Sequence, residues 1–319
     1  MLYAVMAKAG KAESHILKVH RILSRALEIA VRRDVITRNV VKQVESPTAG
    51  NVEILPLTRG DARSLLKVAE SRPNGARWTV GLALGLRQGE ALGLRWQYVD
   101  LDAGAVKVWW QLQRTSWQHG CDDPKSCAAG KHRLPCRPNC PKAKRRSGRR
   151  HVCLRPDDPR TCRPNCLGHA STCPQRHGGG LDFRPPKGRS RRIVPLPPEL
   201  VPVLKAHRAA QSAQRLKVGN SWQDLDLVFC QQDGRPIDPR RDWADWKDLL
   251  KAAGVRDARV HDGRHTAATL LIEMGVHVRT VMEILGHSDI RVTQRYTHVA
   301  SPLAGEAAER MGQALWGSK

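Results

Sequence analysis

The chain has 319 residues and carries 54 Lys and Arg against 30 Asp and Glu, a formal net charge of +24. At about 100–200 residues per domain this length predicts two domains. The 40% of apolar residues can build a core, although Phe and Tyr are scarce and Leu, Val, Ala and Trp must fill it. So large a positive field excludes an ordinary neutral metabolic enzyme and points to a polyanionic partner, nucleic acid first. The longest apolar run, 78–86, is about half of the roughly 20 residues that a membrane span needs. The opening MLYAVMAKAGK lacks the basic, apolar and cleavable order of a signal peptide. These features predict a cytoplasmic protein acting on DNA or RNA and no membrane.

Residues 1–43 read as helical, because Ile16, Val19, Leu23, Ala26, Leu27, Ala30 and Val31 recur at three- and four-residue intervals. This is too little for a domain and reads as the end of one. Ser46 to Asn51 reads as a linker, and 58–69 as a helix that Thr58 and Asp61 can cap. An apolar helix from Arg77, a turn at Gly85-Leu86-Arg87 and a second helix over 88–94 follow. A turn over 99–104 leads into one strand over 106–114, whose partners resume at Leu181 to Phe183 and Arg192 to Leu196.

Between these strands lies an insertion, about 117–180, with almost no Ile or Val and eight of the nine cysteines. A local cluster of this kind in a reducing compartment indicates metal binding rather than a disulfide framework. Cys136-Arg137-Pro138-Asn139-Cys140 recurs as Cys162-Arg163-Pro164-Asn165-Cys166, each copy preceded by a His-x-Cys at His119/Cys121 and His151/Cys153. With Cys127 in the first unit and Cys173 in the second, each offers four thiols, the ligand supply of a closed tetrahedral zinc site. Two structural zinc ions are expected, which would supply folding energy to a segment without an apolar core. The pairing stays open, since His169 or His177 could replace a thiol, and the competing reading is a basic loop with free cysteines. The run from Lys142 to Arg150 is rich in Lys and Arg and suits phosphate contact or a solvated loop.

The remainder reads as helices over 198–216, 243–253, 265–274, 278–285, 289–296 and 303–315. Within it, His261-Asp262-Gly263-Arg264, then Gly286-His287, then Tyr296 nine residues on, set His, Arg and Tyr side chains in a short ordered series. This order resembles the C-terminal signature of the tyrosine recombinase (phage integrase) family, in the actinobacterial type with a Cys-rich insertion. Upstream, Gly85-Leu86-Arg87-Gln88-Gly89-Glu90 is similar to the family's first-arginine box, and Pro186-Lys187-Gly188 before Val194-Pro195 to its β-hairpin lysine. The resemblance covers about 58–319 apart from the insertion. Gly263 departs from it, standing where a bulky apolar residue is more usual.

The resemblance implies a mixed α+β fold: a mostly helical catalytic domain over 58–319 with a small antiparallel β-sheet. A linker over 47–57 and a partial all-α core-binding segment over 1–46 would precede it. It implies a site-specific DNA recombinase in which Tyr296 forms a 3′-phosphotyrosyl bond. Arg87 and Arg264 would clamp the phosphate, Lys187 act as general acid, His261 move a proton and His287 donate to the phosphate. No cofactor would be needed for catalysis. The partners would be double-stranded DNA at attachment sites and three further copies in a homotetramer, with the terminal helix docked on a neighbour. Glu90 reads as structural, His265 and His298 as supporting histidines, and Arg189, Arg191 and Arg192 as phosphate contacts or a solvated face. The expected metal ligands are Cys121, Cys127, Cys136, Cys140, Cys153, Cys162, Cys166 and Cys173. The competing reading is a non-catalytic or decayed DNA-binding fragment of an integrase.

Overall fold

The computed structural model describes residues 2–48, 55–122, 127, 170–186, 191–287, 289–290 and 293. Lys187, Tyr296, five of the expected ligands (Cys136, Cys140, Cys153, Cys162 and Cys166), the basic run 142–150 and the helix expected over 303–315 lie outside them. So does most of the helix expected over 289–296. The chain divides into two compact units, Met1–Leu55 and Pro56–Lys319. Among the described residues no helix is long and apolar enough to cross a membrane.

The first unit holds α1 (Leu2–Lys8), α2 (Glu13–Arg32) and a 3-10 turn, Val40–Gln43. Gly10, in the left-handed region at φ 68°, separates the two helices where the sequence suggests one. Asn39 ties the turn back onto α2: its Oδ1 accepts from Val41 N at 3.1 Å and its Nδ2 donates to Ser24 O at 2.8 Å. Among the described apolar side chains of this unit only Ile16 and Val41 are buried.

The second unit is built around α4 (Ala76–Leu84). One face of α4 meets α3 (Arg59–Glu70) and α7 (Pro239–Ala252) in a cluster of Leu65, Trp78, Leu82, Trp246, Leu249 and Leu250. There the rings of Trp78 and Trp246 lie 5.2 Å apart. Its other face, with Val80 and Leu84, joins a larger cluster that takes in α5 (Gln88–Leu92), α6 (Leu200–Val218) and a three-stranded antiparallel sheet. That sheet has the order β1 (Val99–Asp100), β2 (Ala105–Val108), β5 (Arg192–Pro195), with Val106 opposite Val194. A separate ribbon pairs β3 (Gln111–Thr115) with β4 (Gly180–Arg184). The last described helices are α8 (Val260–Glu273) and α9 (Val278–Leu285).

The single strand expected over 106–114 is two. The chain bends at Trp109 and Trp110, where Trp110 Nε1 donates to Tyr98 OH at 3.0 Å and the Trp109 ring packs 5.4 Å from Tyr98. The bend transfers the chain from one sheet to the other. The helix expected from His265 starts at Val260, because the Asp262 carboxylate accepts the Arg259 N–H at 2.7 Å and caps it. The helix expected from Trp243 starts at Pro239, since Asp238 caps it by accepting from Arg240 N at 2.9 Å and Pro239 supplies the fixed φ of a first turn.

α4 and α7 are joined by a buried ion pair. Arg77 Nε and Nη2 donate to the two Asp242 oxygens at 3.0 Å each, and Gln88 Nε2 donates to the same carboxylate at 2.9 Å. Replacing one partner leaves a desolvated charge, whereas replacing both with apolar side chains does not. Asp242→Leu is expected to destabilise the protein by about 3–5 kcal/mol in urea denaturation. Arg77→Met with Asp242→Leu should recover most of that loss, and a double variant as unstable as the single one refutes this account.

Candidate active site

Four of the six residues expected to do chemistry come together where the turns after α4 and α9 meet the first turn of α8. Gly85 ends α4 at φ 58°, and a side chain there would place its Cβ 2.4 Å from Leu285 Cδ2 and 3.2 Å from Ala267 Cβ. Glycine therefore lets the turn that carries Arg87 sit directly against the turn that carries His287. Gly263 allows a similar approach, since a Cβ there would lie 3.3 Å from Leu82 of α4.

Three guanidinium groups converge on the C-terminal carbonyls of α9. Arg192 Nε donates to Ile284 O at 2.7 Å, Arg264 Nη2 to Leu285 O, and Arg87 Nη2 to Gly286 O at 3.2 Å. Arg264 Nη1 also reaches Gly85 O at 2.8 Å, joining the two turns. The carbonyls at a helix C-terminus lack partners within the helix and carry its partial negative charge, so they suit cations.

The charge that holds Arg87 and Arg192 is Glu90. Its carboxylate, 1% exposed, accepts from Arg87 Nη1 at 2.6 Å, Arg87 N at 3.0 Å and Arg192 Nη2 at 2.8 Å. Burial raises the Glu90 pKa, but the Arg192 hydrogen bond and the charges of Arg192 and Arg87 outweigh it and hold the group at about 2. Arg192 is therefore not the phosphate contact or solvated side chain expected from its neighbours. Its side chain is 7% exposed and joins β5 to α5 and α9. The sequence signal for it was weak: Arg192 is one of four closely spaced basic residues, and only the strand phase distinguishes it.

The two histidines face this cationic turn. Desolvation, then His265, Arg264 and Arg87, push His261 down to about 4, while its outer edge stays open to solvent. The His261 and His265 rings meet edge to face at 4.7 Å. Desolvation, followed by Arg264, Arg87 and Arg192, pushes His287 down to about 3, and its Nδ1 lies 2.8 Å from the buried hydroxyl of Thr293. Arg87 keeps about a third of its side-chain surface exposed. The result is a concentration of fixed positive charge and neutral imidazole, suited to bidentate recognition of a tetrahedral oxyanion.

The insertion's described ends also converge. His119, Cys121, Cys127 and Cys173 place their ligand atoms within 4.8 Å of one another, and the described cysteines are free thiols. Burial raises Cys173, but the Gly120 and Gln175 N–H groups, His119 and Cys127 bring it down to about 6. Cys121 rises to about 11 by desolvation and by its neighbours Cys173 and Cys127. The two sequence units do not stay apart here, because Cys173, counted with the second, meets Cys121 and Cys127 of the first. His119, seen in the sequence only as part of a His-x-Cys, joins them.

Two measurements test the electrostatics. Glu90→Gln removes one charge from a buried pair and is expected to cost about 3–5 kcal/mol of stability by denaturation. A cost below about 1 kcal/mol is the surface-pair value and contradicts the buried role. His261 and His287 titrate below the ordinary histidine value, so the folded protein binds fewer protons than the unfolded chain between about pH 6.5 and pH 4. Stability should therefore fall as pH drops through that window. The drop in melting temperature from about pH 7 to about pH 5 should be smaller in His287→Gln, and an unchanged drop refutes the assignment.

Residues 181–302 match the Phage integrase family. An integrase of Saccharopolyspora erythraea is 39% identical over 322 residues, covering 99% of this chain and 70% of that protein. A XerC-like tyrosine recombinase of Caldanaerobacter subterraneus subsp. tengcongensis is 27% identical over 97% of this chain and 68% of its own length. The fold is that of the Tn1549 transposon integrase in complex with a circular intermediate DNA, with a TM-score of 0.64 at 18% identity over 97% of this chain and 83% of that one. The chain belongs to the phage integrase family of tyrosine recombinases.

Proposed function

We propose that the protein cleaves and rejoins double-stranded DNA at specific attachment sites through a covalent 3′-phosphotyrosyl bond at Tyr296. The observation that carries this reading is the meeting of Arg87, Arg264, His261 and His287 at one cationic turn. In the proposed step the Tyr296 oxygen forms a bond to the phosphorus and the bond to the 5′-oxygen breaks. His261, neutral in the free protein, accepts the tyrosine proton, and Lys187 gives a proton to the leaving 5′-oxygen. Arg87 and Arg264 hold the non-bridging oxygens, where preorganised charge stabilises the transition state. With the Thr293 hydroxyl donating to Nδ1, His287 presents Nε2–H as a further donor to the phosphate. The phosphate ester is kept as the adduct, so attack by a 5′-hydroxyl reverses the steps without a nucleotide or a metal.

Residues 1–46 serve, in this reading, as the last part of a helical core-binding domain, joined through 47–57 to the catalytic domain over 58–319. The active assembly is a homotetramer on two DNA sites in the cytoplasm. The insertion is stabilised by zinc, and its basic run adds non-specific phosphate contacts that weaken with salt.

A nicked suicide substrate, whose cut strand cannot be rejoined, tests the chemistry. The wild-type chain should accumulate a covalent protein–DNA adduct, Tyr296→Phe none, and Arg87→Ala about 10²–10³-fold less. No adduct from the wild-type chain supports the competing non-catalytic DNA-binding reading, and an adduct that survives Tyr296→Phe overturns the nucleophile.

A further inference from the structure

The insertion begins and ends at one place. Beyond Thr115 and Gly180 the ribbon of β3 and β4 continues to an antiparallel bridge in which Gln118 N donates to His177 O at 2.9 Å and His177 N to Gln118 O at 3.1 Å. The two strands are pinched there. A Cβ at Gly120 would lie 2.0 Å from Gln175 O, and one at Gly179 would lie 2.4 Å from the Trp117 ring. Arg176 stacks over Trp117 at 4.7 Å. Two residues before Gln175 lies Cys173, delivered by a 3-10 turn, Ala170–Thr172, with Cys173 N donating to Ala170 O at 3.1 Å and Ala170 and Cys173 both buried.

We propose that His119, Cys121, Cys127 and Cys173 form a single tetrahedral zinc site that clips the two ends of the insertion together at its neck. This rests on the reading of the insertion as zinc-binding, and gives it a ligand set that crosses the two sequence repeats. The geometry suits the ion. Zinc bonds of about 2.3 Å to sulfur and about 2.0 Å to nitrogen put the ligand atoms of such a set roughly 3.5–3.8 Å apart at tetrahedral angles. The 4.8 Å outer spread of the four atoms needs only a small contraction to reach that, and Cys121 Sγ already lies 3.5 Å from His119 Nδ1. Three thiolates and one imidazole close the coordination shell, as in a structural rather than a catalytic site. Such a clip makes residues 128–172 one closed loop, whose unfolded alternatives are fewer.

The clip also bears on the rest of the molecule. β3 runs against α5 so closely that a Cβ at Gly89 would lie 2.7 Å from Leu112 O. A metal that fixes the far end of the β3–β4 ribbon therefore steadies the strand on which the Arg87 and Glu90 helix packs.

The test uses the full chain purified under reducing conditions with zinc, and alkylates its thiols before and after chelation, mapping the modified residues by mass spectrometry. Cys121, Cys127 and Cys173 should be protected together, become reactive together as one equivalent of zinc leaves, and recover together when zinc is restored. Buried Cys230 should remain unmodified throughout, showing that the domain has not unfolded. In parallel, Cys173→Ser and His119→Ala should each bind one equivalent less zinc than the wild type. Bound zinc with Cys173 reactive throughout, or a full complement in Cys173→Ser, overturns the neck site and leaves the zinc-binding reading standing. Absence of bound zinc, or a disulfide among the three cysteines in its place, overturns both. The suicide-substrate adduct, measured on the same preparation, reports separately on the chemistry at Tyr296.

Discussion

The site depends on one buried negative charge. Arg87, Arg192 and Arg264 approach the same helix end from three different elements, and without an opposing charge their mutual repulsion in a poorly solvated turn would drive them apart. Glu90 counters two of them directly, and the carbonyls of Ile284, Leu285 and Gly286 receive one guanidinium each. Among the described contacts, three guanidiniums against one carboxylate leave an excess of positive charge. A buried pair of this kind contributes little net stability, because desolvation offsets the attraction. Its effect is geometric: it sets where Arg87 and the α9 turn stand before any ligand arrives.

The same geometry requires that α4, α8 and α9 approach more closely than ordinary side chains allow. Gly85 removes a Cβ that would strike Leu285, and Gly263 removes one that would crowd Leu82. Both glycines cost conformational entropy on folding. Here they shorten the distance between the turn that carries Arg87 and the turns that carry Arg264 and His287. The apolar clusters on either face of α4 supply the burial that offsets this cost, and the Arg77–Asp242 pair fixes how α7 is set against it.

Much of this was legible in the chain, for reasons that differ by residue. Thr58 and Asp61 announced the start of α3 because a capping box is a local pattern, and the structure forms it. The ordered His, Arg and Gly-His residues were readable because their spacing follows the helices that carry them. Arg192 was not, because its neighbours have the same charge and only burial beside Glu90 sets it apart. The bend at Trp109 and Trp110 was missed because aromatic residues favour strands, and contacts with Tyr98, eleven and twelve residues earlier, decide where the strand breaks. The meeting of Cys173 with Cys121 was hidden for the opposite reason: the repeated Cys-Arg-Pro-Asn-Cys suggests units that are separate in sequence, whereas strand pairing brings together the first and last cysteines of the insertion.

The net charge of +24 can now be divided by depth. Charges on the surface and in the basic run act at long range and are screened by salt. The charges around α9 are partly desolvated, and they act on the histidines between them. In the free protein burial first, and those arginines in addition, keep His261 and His287 neutral. Under the proposed chemistry a phosphodiester entering between Arg87 and Arg264 brings negative charge to the turn. It weakens the positive potential at both imidazoles and raises their proton affinity. His261 then becomes a better proton acceptor only once the phosphate is in place, so the same arginines that orient the substrate also couple its arrival to the readiness of the base.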